Sequence, residues 1–93
     1  MKKIAITYYY QMGNGYSDVV FHESGKKALE HFKQNYKRFF PKVLFKNQLP
    51  KTYLTKGFKV GFGHRFYGVS FLENHPDLIP LYEQQKGVLY EKH

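Results

Sequence analysis

The sequence predicts an α+β fold, in which an antiparallel sheet of four to six strands packs one face on a single main helix. Three features lead to this prediction: an amphipathic helical pattern over 24–40, a glycine-centred hairpin before it, and two short alternating segments after it. A ferredoxin-like order, with the first strand elaborated into a hairpin, is one topology that fits this succession.

The N-terminal hairpin is predicted from residue alternation and from its turn. Over 3–10, the even-numbered residues share one face of a strand and the odd-numbered residues share the other. Gly13 and Gly15 flank an asparagine, and all three residues tolerate a positive φ, so a tight turn is expected there. The β-branched and aromatic residues of 17–22 then form the returning strand.

The main helix is predicted over about 24–40 because its apolar residues recur at three- and four-residue spacings. They are Ala28, Leu29, Phe32, Tyr36, Phe39 and Phe40. Ser24 suits the N-cap, and Pro41 requires the helix to end by about Phe39 or Phe40.

After the helix, 43–45 is predicted as a short strand and Asn47–Pro50 as a loop. A second hairpin is predicted from 53–60 and 64–72. By alternation, Phe58, Val60 and Phe62 share one face, which we expect to be buried, and Lys59 points outward.

A short second helix is predicted near 76–85, because Pro76 suits the first helical position and Asp77 suits the helix dipole. Pro80 lies further inside and predicts a short or kinked helix. Gly87 is expected to end it, and 88–90 to add a final edge strand.

Composition predicts one small domain spanning 1–93. The chain has no cysteine, which excludes a disulfide framework and a thiolate metal site, and fits a cytoplasmic protein. No run of apolar residues is long enough to cross a membrane, so no membrane contact is expected. The sequence indicates no cofactor and no metal site.

The charge is concentrated in one part of the chain. Residues 31–72 carry nine basic residues and no acidic one, whereas the net charge of the whole chain is +8. A block of one sign repels itself, and an anionic partner would relieve that repulsion. Since thirteen of the fifteen basic residues are lysine, a general solubility charge is the competing interpretation.

Aromatic residues interleave with the basic ones in the second half of the block, as in proteins that stack unpaired bases and contact phosphates. Residues 56–62 resemble the first signature of RNA-recognition motifs only in part. Lys59 stands where a small residue belongs and Val60 where an aromatic belongs. No family follows from the segment.

The leading functional hypothesis is therefore a small, non-enzymatic nucleic-acid-binding protein. Its predicted contact residues, which contain no catalytic or metal-binding group, are Lys33, Lys37, Arg38, Lys42, Lys56, Lys59, Arg65, Tyr9 and Tyr67. If about five or six duplex phosphates are neutralised, log K is expected to fall with log salt at a slope of about −5.

Two alternatives stay open. A protein-interaction module or small inhibitor, monomeric or homo-oligomeric, would use its tyrosine-rich strand edges and basic surface against an acidic protein. A metal-free ribonuclease built on His64, Arg65 and a tyrosine is the lesser option, because adjacent strand residues point to opposite faces.

Overall fold

The computed structural model describes residues 3–45, 49 and 51–91. Its elements, in chain order, are β1 (Ala5–Gln11), β2 (Gly15–His22), α1 (Gly25–Asn35), α2 (Tyr53–Lys56), β3 (Phe58–Phe62), β4 (Arg65–Phe71) and α3 (Ile79–Glu91). Short 3-10 turns follow α1 at Tyr36–Arg38, follow β4 at Leu72–Asn74 and precede α3 at Pro76–Leu78.

The four strands form one antiparallel sheet in the order β2-β1-β4-β3, with β1 and β4 in the centre. The predicted α+β class is confirmed: one sheet packs against one main helix. The predicted edge strand at 88–90 is wrong, because α3 continues through Gly87 to Glu91. A ferredoxin-like order is therefore not completed by that segment.

Helix α1 covers one side of the sheet, which we call the helix face. It carries the odd-numbered residues of β1 and β4, and Phe32 of α1 lies at its centre with no solvent exposure. Four aromatic rings surround Phe32 with centroids 4.9–5.5 Å away: Tyr36, Phe45, Phe58 and Tyr67. This aromatic cluster is the main core of the domain.

The opposite side, the outer face, carries the even-numbered residues of β1 and β4. One end of it is covered: Leu78 packs on Ile6 and Tyr8, and the ring of Tyr82 lies 5.1 Å from that of Phe21. The segment 72–82 therefore shields the end of the outer face that is far from the two hairpin turns. Nearer the turns the cover is partial: His75 lies against Tyr16, with ring centroids 5.5 Å apart and the Tyr16 hydroxyl 3.4 Å from the His75 Nδ1 atom.

The predicted start of the main helix is confirmed. Ser24 is extended, and its Oγ accepts a hydrogen bond from the Lys27 amide at 3.3 Å. The α-helix itself ends at Asn35, earlier than the predicted end near residue 40, and the 3-10 turn over Tyr36–Arg38 follows it before Pro41. The Lys27 ammonium lies 3.0 Å from the Glu23 carboxylate, which offsets the unfavourable placement of a cation in the first turn.

Two predicted details are wrong, and a third lies mostly outside the described residues. Residues 43–45 are not a strand, since the Phe45 amide donates to the Tyr36 hydroxyl at 3.2 Å instead of to a neighbouring strand. Tyr53–Lys56 is a helical turn, which Gly57 ends at a φ of 75°. Most of the predicted loop at 47–50 lies outside the described residues.

Phe62 corrects the predicted buried face of β3. Phe58 and Val60 pack against the core cluster, whereas Phe62 is 68% exposed. Its partner in the sheet is Arg65, at the end of the hairpin. The Phe62 ring makes a T-shaped contact with the Phe40 ring there. The predicted alternation along β3 is correct, but Phe62, its last residue, lies beyond the helix that would bury it.

The second helix is longer than predicted because Pro80 lies in its first turn. Amides in the first turn of a helix have no acceptor within the helix. Proline, which has no amide hydrogen, is therefore tolerated at this position. Pro76 begins the preceding 3-10 turn, as predicted for a helix start.

A pair of histidines joins the edge strand β2 to α1. The His22 Nε2 atom lies 3.1 Å from the buried Thr7 hydroxyl, and the rings of His22 and His31 are 5.0 Å apart. Burial, and secondarily the neighbouring His31, lower the pKa of His22 to about 4. Burial and the Arg38 charge lower the pKa of His31 as well.

The lowered pKa values of these two histidines predict that acid destabilises the fold. Unfolded histidine titrates near 6.5, so between about pH 6.5 and 4 the unfolded chain binds the extra proton. The stability is complete above about pH 6.5 and falls as the pH decreases. Because His22 is only half-buried, we expect it to contribute about 1 kcal/mol to the loss between pH 7 and 5.

Urea unfolding at the two pH values tests this expectation. His22→Gln should reduce the loss of stability between pH 7 and 5, whereas His64→Gln, at an exposed turn, should leave it as in the parent protein. Equal pH dependence in all three proteins would show that His22 is not responsible.

Candidate nucleic-acid interface

The partly covered end of the outer face carries a row of three aromatic side chains on adjacent strands. Strand register places Tyr16 of β2 opposite Tyr10 of β1, and Tyr10 opposite Phe66 of β4. We call these three residues the aromatic row. Neighbouring strands are about 4.8 Å apart, so the row spans roughly 10 Å across the sheet.

Two rings of the row, those of Tyr10 and Tyr16, contact each other, and Tyr16 also contacts Tyr8 and His75. Tyr10 and Tyr16 have ring centroids 5.1 Å apart, and Tyr8 meets Tyr16 edge-on at 5.5 Å. Tyr16 is 37% exposed, and Tyr10 and Phe66 are half-buried. Neighbouring rings therefore hold Tyr10 and Tyr16 in place, and all three rings stay accessible in part.

At the β3 end of the row, the residue opposite Phe66 has no side chain. Its partner on β3 is Gly61, which has a φ of 152° and therefore adopts a conformation that other residues rarely reach. A Cβ there would collide with the Arg65 carbonyl oxygen. The sheet thus requires a residue with no side chain opposite Phe66.

Lys59, the other outer-face residue of β3, occupies the space above Phe66. Its ammonium nitrogen lies 4.3 Å from the centroid of the ring, a cation–π contact. The outward direction predicted for Lys59 is confirmed. A positive charge is thereby fixed beside the end of the aromatic row.

The two ends of the row differ in charge. Lys59 lies at the β3 end, whereas the carboxylate of Asp77 acts on Tyr16 at the β2 end. The pKa of Tyr16 is raised by burial first, and then by Asp77 and Tyr10. An anion is therefore favoured at the β3 end.

A cleft of about 480 Å³ begins beside the row and runs along the outer face toward the end of β4. Its polar lining is Tyr8, Thr55, Lys56, Lys59, Ser70, Asn74 and His75, which includes two lysines and no acidic residue. The Ser70 Oγ and His75 Nε2 atoms are 2.8 Å apart and share a hydrogen bond. Burial, with a smaller effect of Tyr16, raises the pKa of Tyr8 to about 12, so its hydroxyl stays protonated.

The predicted contact residues do not converge on one surface. Lys56 and Lys59 line the outer-face cleft. Four others lie on or just after α1, on the opposite side of the sheet: Lys33, Lys37, Arg38 and Lys42. The charge block is thus divided by the sheet, a separation that linear sequence does not reveal.

The two arginines of the block serve the structure in part. Arg65 donates from its guanidinium to the Phe39 carbonyl oxygen at 3.4 Å and lies 5.1 Å from the Phe40 ring. Arg38 lies 5.3 Å from the Phe39 ring. Both guanidiniums therefore contact the aromatic residues at the end of α1.

Tyr67 and Tyr9 are corrected as contact residues. Tyr67 is 2% exposed and its ring stacks on Phe32 and Phe39, so no base can reach it. Tyr9 is half-buried and stacks on Phe39 at 4.4 Å. Both lie on the helix face, because odd-numbered residues of β1 and β4 point toward α1.

The sequence hypothesis missed the residues that the outer face brings together. Tyr10, Tyr16, Ser70 and His75 were not among the predicted contacts, although alternation along 3–10 already set Tyr10 apart from Tyr9. The missing information was which face of the sheet the helix covers.

The acidic residues do not neutralise the basic block through the ion pairs seen in the described ranges. These pairs join Lys3 to Glu73 at 2.9 Å and Lys27 to Glu23 at 3.0 Å, and neither uses a basic residue of 31–72. In the same ranges, no three histidine or carboxylate side chains are grouped as a metal site would need. None of the helices described is both long and apolar enough to span a bilayer.

The chain matches no family model, and neither a curated protein nor a solved structure shows significant similarity to it. The geometry of the outer face therefore carries the functional argument.

Proposed function

We propose that this protein is a small, non-enzymatic binder of single-stranded nucleic acid, and that the outer face of the sheet is its contact surface. The observation that supports this most is the aromatic row on three adjacent strands, with Lys59 fixed at one end. Aromatic rings on a sheet stack unpaired bases regardless of sequence, at about 1–3 kcal/mol per base.

The size of the surface suits a short segment of single strand. A row of roughly 10 Å gives room for about two bases stacked on neighbouring rings. A duplex presents no free base faces to such a row, so single strands are expected to be preferred. The positive β3 end and the negative β2 end direct the sugar-phosphate chain toward Lys59.

The salt dependence of binding is expected to be shallow. Of the predicted cations, only Lys56 and Lys59 line the outer-face cleft, so about two phosphates are neutralised. For a single strand, this gives a slope of log K against log salt of about −1.4, instead of the −5 expected if the whole block contacted a duplex.

Fluorescence anisotropy with single-stranded and duplex oligonucleotides, at about 50 and 200 mM salt, tests this expectation. Lys59→Gln should weaken binding and flatten the slope, whereas Lys37→Gln, on the helix side, should change neither. Steep salt dependence and a preference for duplex would contradict the proposal and favour the α1 side.

A second candidate function is that of a protein-interaction module or small inhibitor, monomeric or homo-oligomeric, which binds an acidic protein. It is favoured by the cations on the α1 side, which lie away from the aromatic row. In the described sheet, β2 and β3 are edge strands, and the exposed Phe62 lies on β3. Edge strands of this kind accept an added strand from a partner. Absence of oligonucleotide binding at low salt would make this function the leading one.

A further inference from the structure

We propose that the cleft beside the aromatic row binds a terminal phosphate group, so that the protein recognises the end of a single strand. This inference rests on the proposed function. It assigns a role to Lys56, Ser70 and His75, which the stacking row alone does not use.

The cleft offers donors and no carboxylate. Two ammonium groups, from Lys56 and Lys59, accompany the hydroxyls of Tyr8 and Ser70. Ser70 is only 5% exposed, and its hydrogen bond to His75 fixes it at the floor of the cleft. A phosphate monoester carries a charge of about −1.5 to −2 at pH 7 and three acceptor oxygens, which such a donor set can satisfy.

The position of the cleft relative to the row fits one nucleotide. Along β4, Gly68 lies two residues and about 7 Å beyond Phe66, and Ser70 lies about 13 Å beyond it. Gly68 pairs with Lys59, and a Cβ there would meet the Phe58 carbonyl oxygen and Lys59, so the glycine lets β3 approach β4 closely. A nucleotide at the Phe66 end of the row would displace the Lys59 ammonium from the ring and bring its phosphate to the cleft that Lys59, Lys56 and Ser70 line.

A hydrogen bond joins two residues that line the cleft, which favours a terminal phosphate over an internal one. The Asn74 side-chain amide donates to the Thr55 carbonyl oxygen at 3.0 Å and joins α2 to the turn after β4. A strand that continued past the phosphate would have to cross this bridge. A phosphodiester also carries a single negative charge, so it uses fewer of the donors.

Three oligonucleotides of equal length and sequence test the proposal: one with a 5′-phosphate, one with a 3′-phosphate and one with neither. Each carries its fluorophore at an internal position, and anisotropy is measured at about 100 mM salt. We expect one of the phosphorylated forms to bind about tenfold more tightly than the unphosphorylated form. The preferred end gives the direction of the strand.

Lys56→Gln is expected to remove most of this preference. Lys51→Gln is the matched control, because Lys51 is exposed near the same helical turn and does not line the cleft. Both residues are on the surface, and circular dichroism checks that each variant is folded.

The possible outcomes separate this inference from the proposed function. Equal binding of all three oligonucleotides would overturn the terminal-phosphate site and leave single-strand binding intact. Preference retained in Lys56→Gln would overturn the assignment to this cleft. No binding of any oligonucleotide would overturn both proposals.

Discussion

Replacing Phe32 with alanine is expected to destabilise the domain by about 3–5 kcal/mol. Phe32 is fully buried, and its ring contacts four other aromatic rings contributed by four separate segments of the chain. Truncation leaves a cavity that these large, rigid rings cannot fill, so transfer and packing energy are both lost. Since small domains have about 5–15 kcal/mol of stability, this change removes a large part of it.

Phe62→Ala is the matched control for this prediction. It deletes the same atoms from a ring that is 68% exposed, and should cost less than about 1 kcal/mol. Urea unfolding followed by circular dichroism measures both variants. If the two free energies of unfolding fell by similar amounts, Phe32 would not be the centre of the core.

Removing the ring of Phe66 is expected to weaken binding of a single-stranded oligonucleotide by about 5- to 150-fold, which corresponds to 1–3 kcal/mol. Phe66→Leu keeps an apolar side chain on the sheet but removes the flat face on which a base stacks. It also removes the ring that holds the Lys59 ammonium in place. Tyr10→Leu should have an effect of similar size, since Tyr10 is the central member of the row.

Phe62→Leu provides the control with the same chemistry. Phe62 is more exposed than Phe66, but it lies on the helix face near Phe40 and outside the aromatic row. Its replacement should leave the anisotropy titration unchanged. An equal loss in Phe62→Leu and Phe66→Leu would indicate a general effect of surface aromatics and would contradict the assigned face.

Much of the fold could be predicted because local sequence rules determine it. The alternation along 3–10 predicts the two faces of β1, and the glycine-rich turn predicts its pairing with β2. Ser24 sets the start of the main helix through capping, whereas Pro41 gave only an upper limit for its end, since α1 stops at Asn35. These signals act within a few residues, so neighbouring elements do not override them.

The errors arose where the outcome depends on elements far apart in the sequence. Alternation predicts that Phe58 and Phe62 share a face, but not that α1 ends before it reaches Phe62. A separate error concerns Gly87. Glycine is a weak helix former, which predicts a helix end, yet α3 continues through Gly87 to Glu91.

The candidate site could be predicted only in part, because charge along the chain does not give position in space. The basic block correctly supplied Lys56 and Lys59, but the sheet separates them from Lys37 and its neighbours on the other side. Tyr67 and Phe66 are adjacent in sequence, and only the position of α1 decides which ring is buried. The alternation of side chains along a strand defines two faces, but only packing against α1 determines which face is buried.

The central claim is that single-stranded nucleic acid binds the outer face. Amide chemical-shift mapping tests it most directly, by titrating ¹⁵N-labelled protein with a short single-stranded oligonucleotide. The account predicts that the largest changes occur at Tyr10, Tyr16, Lys59, Phe66 and Gly68. Changes concentrated instead along α1, from Lys33 to Arg38, would contradict it.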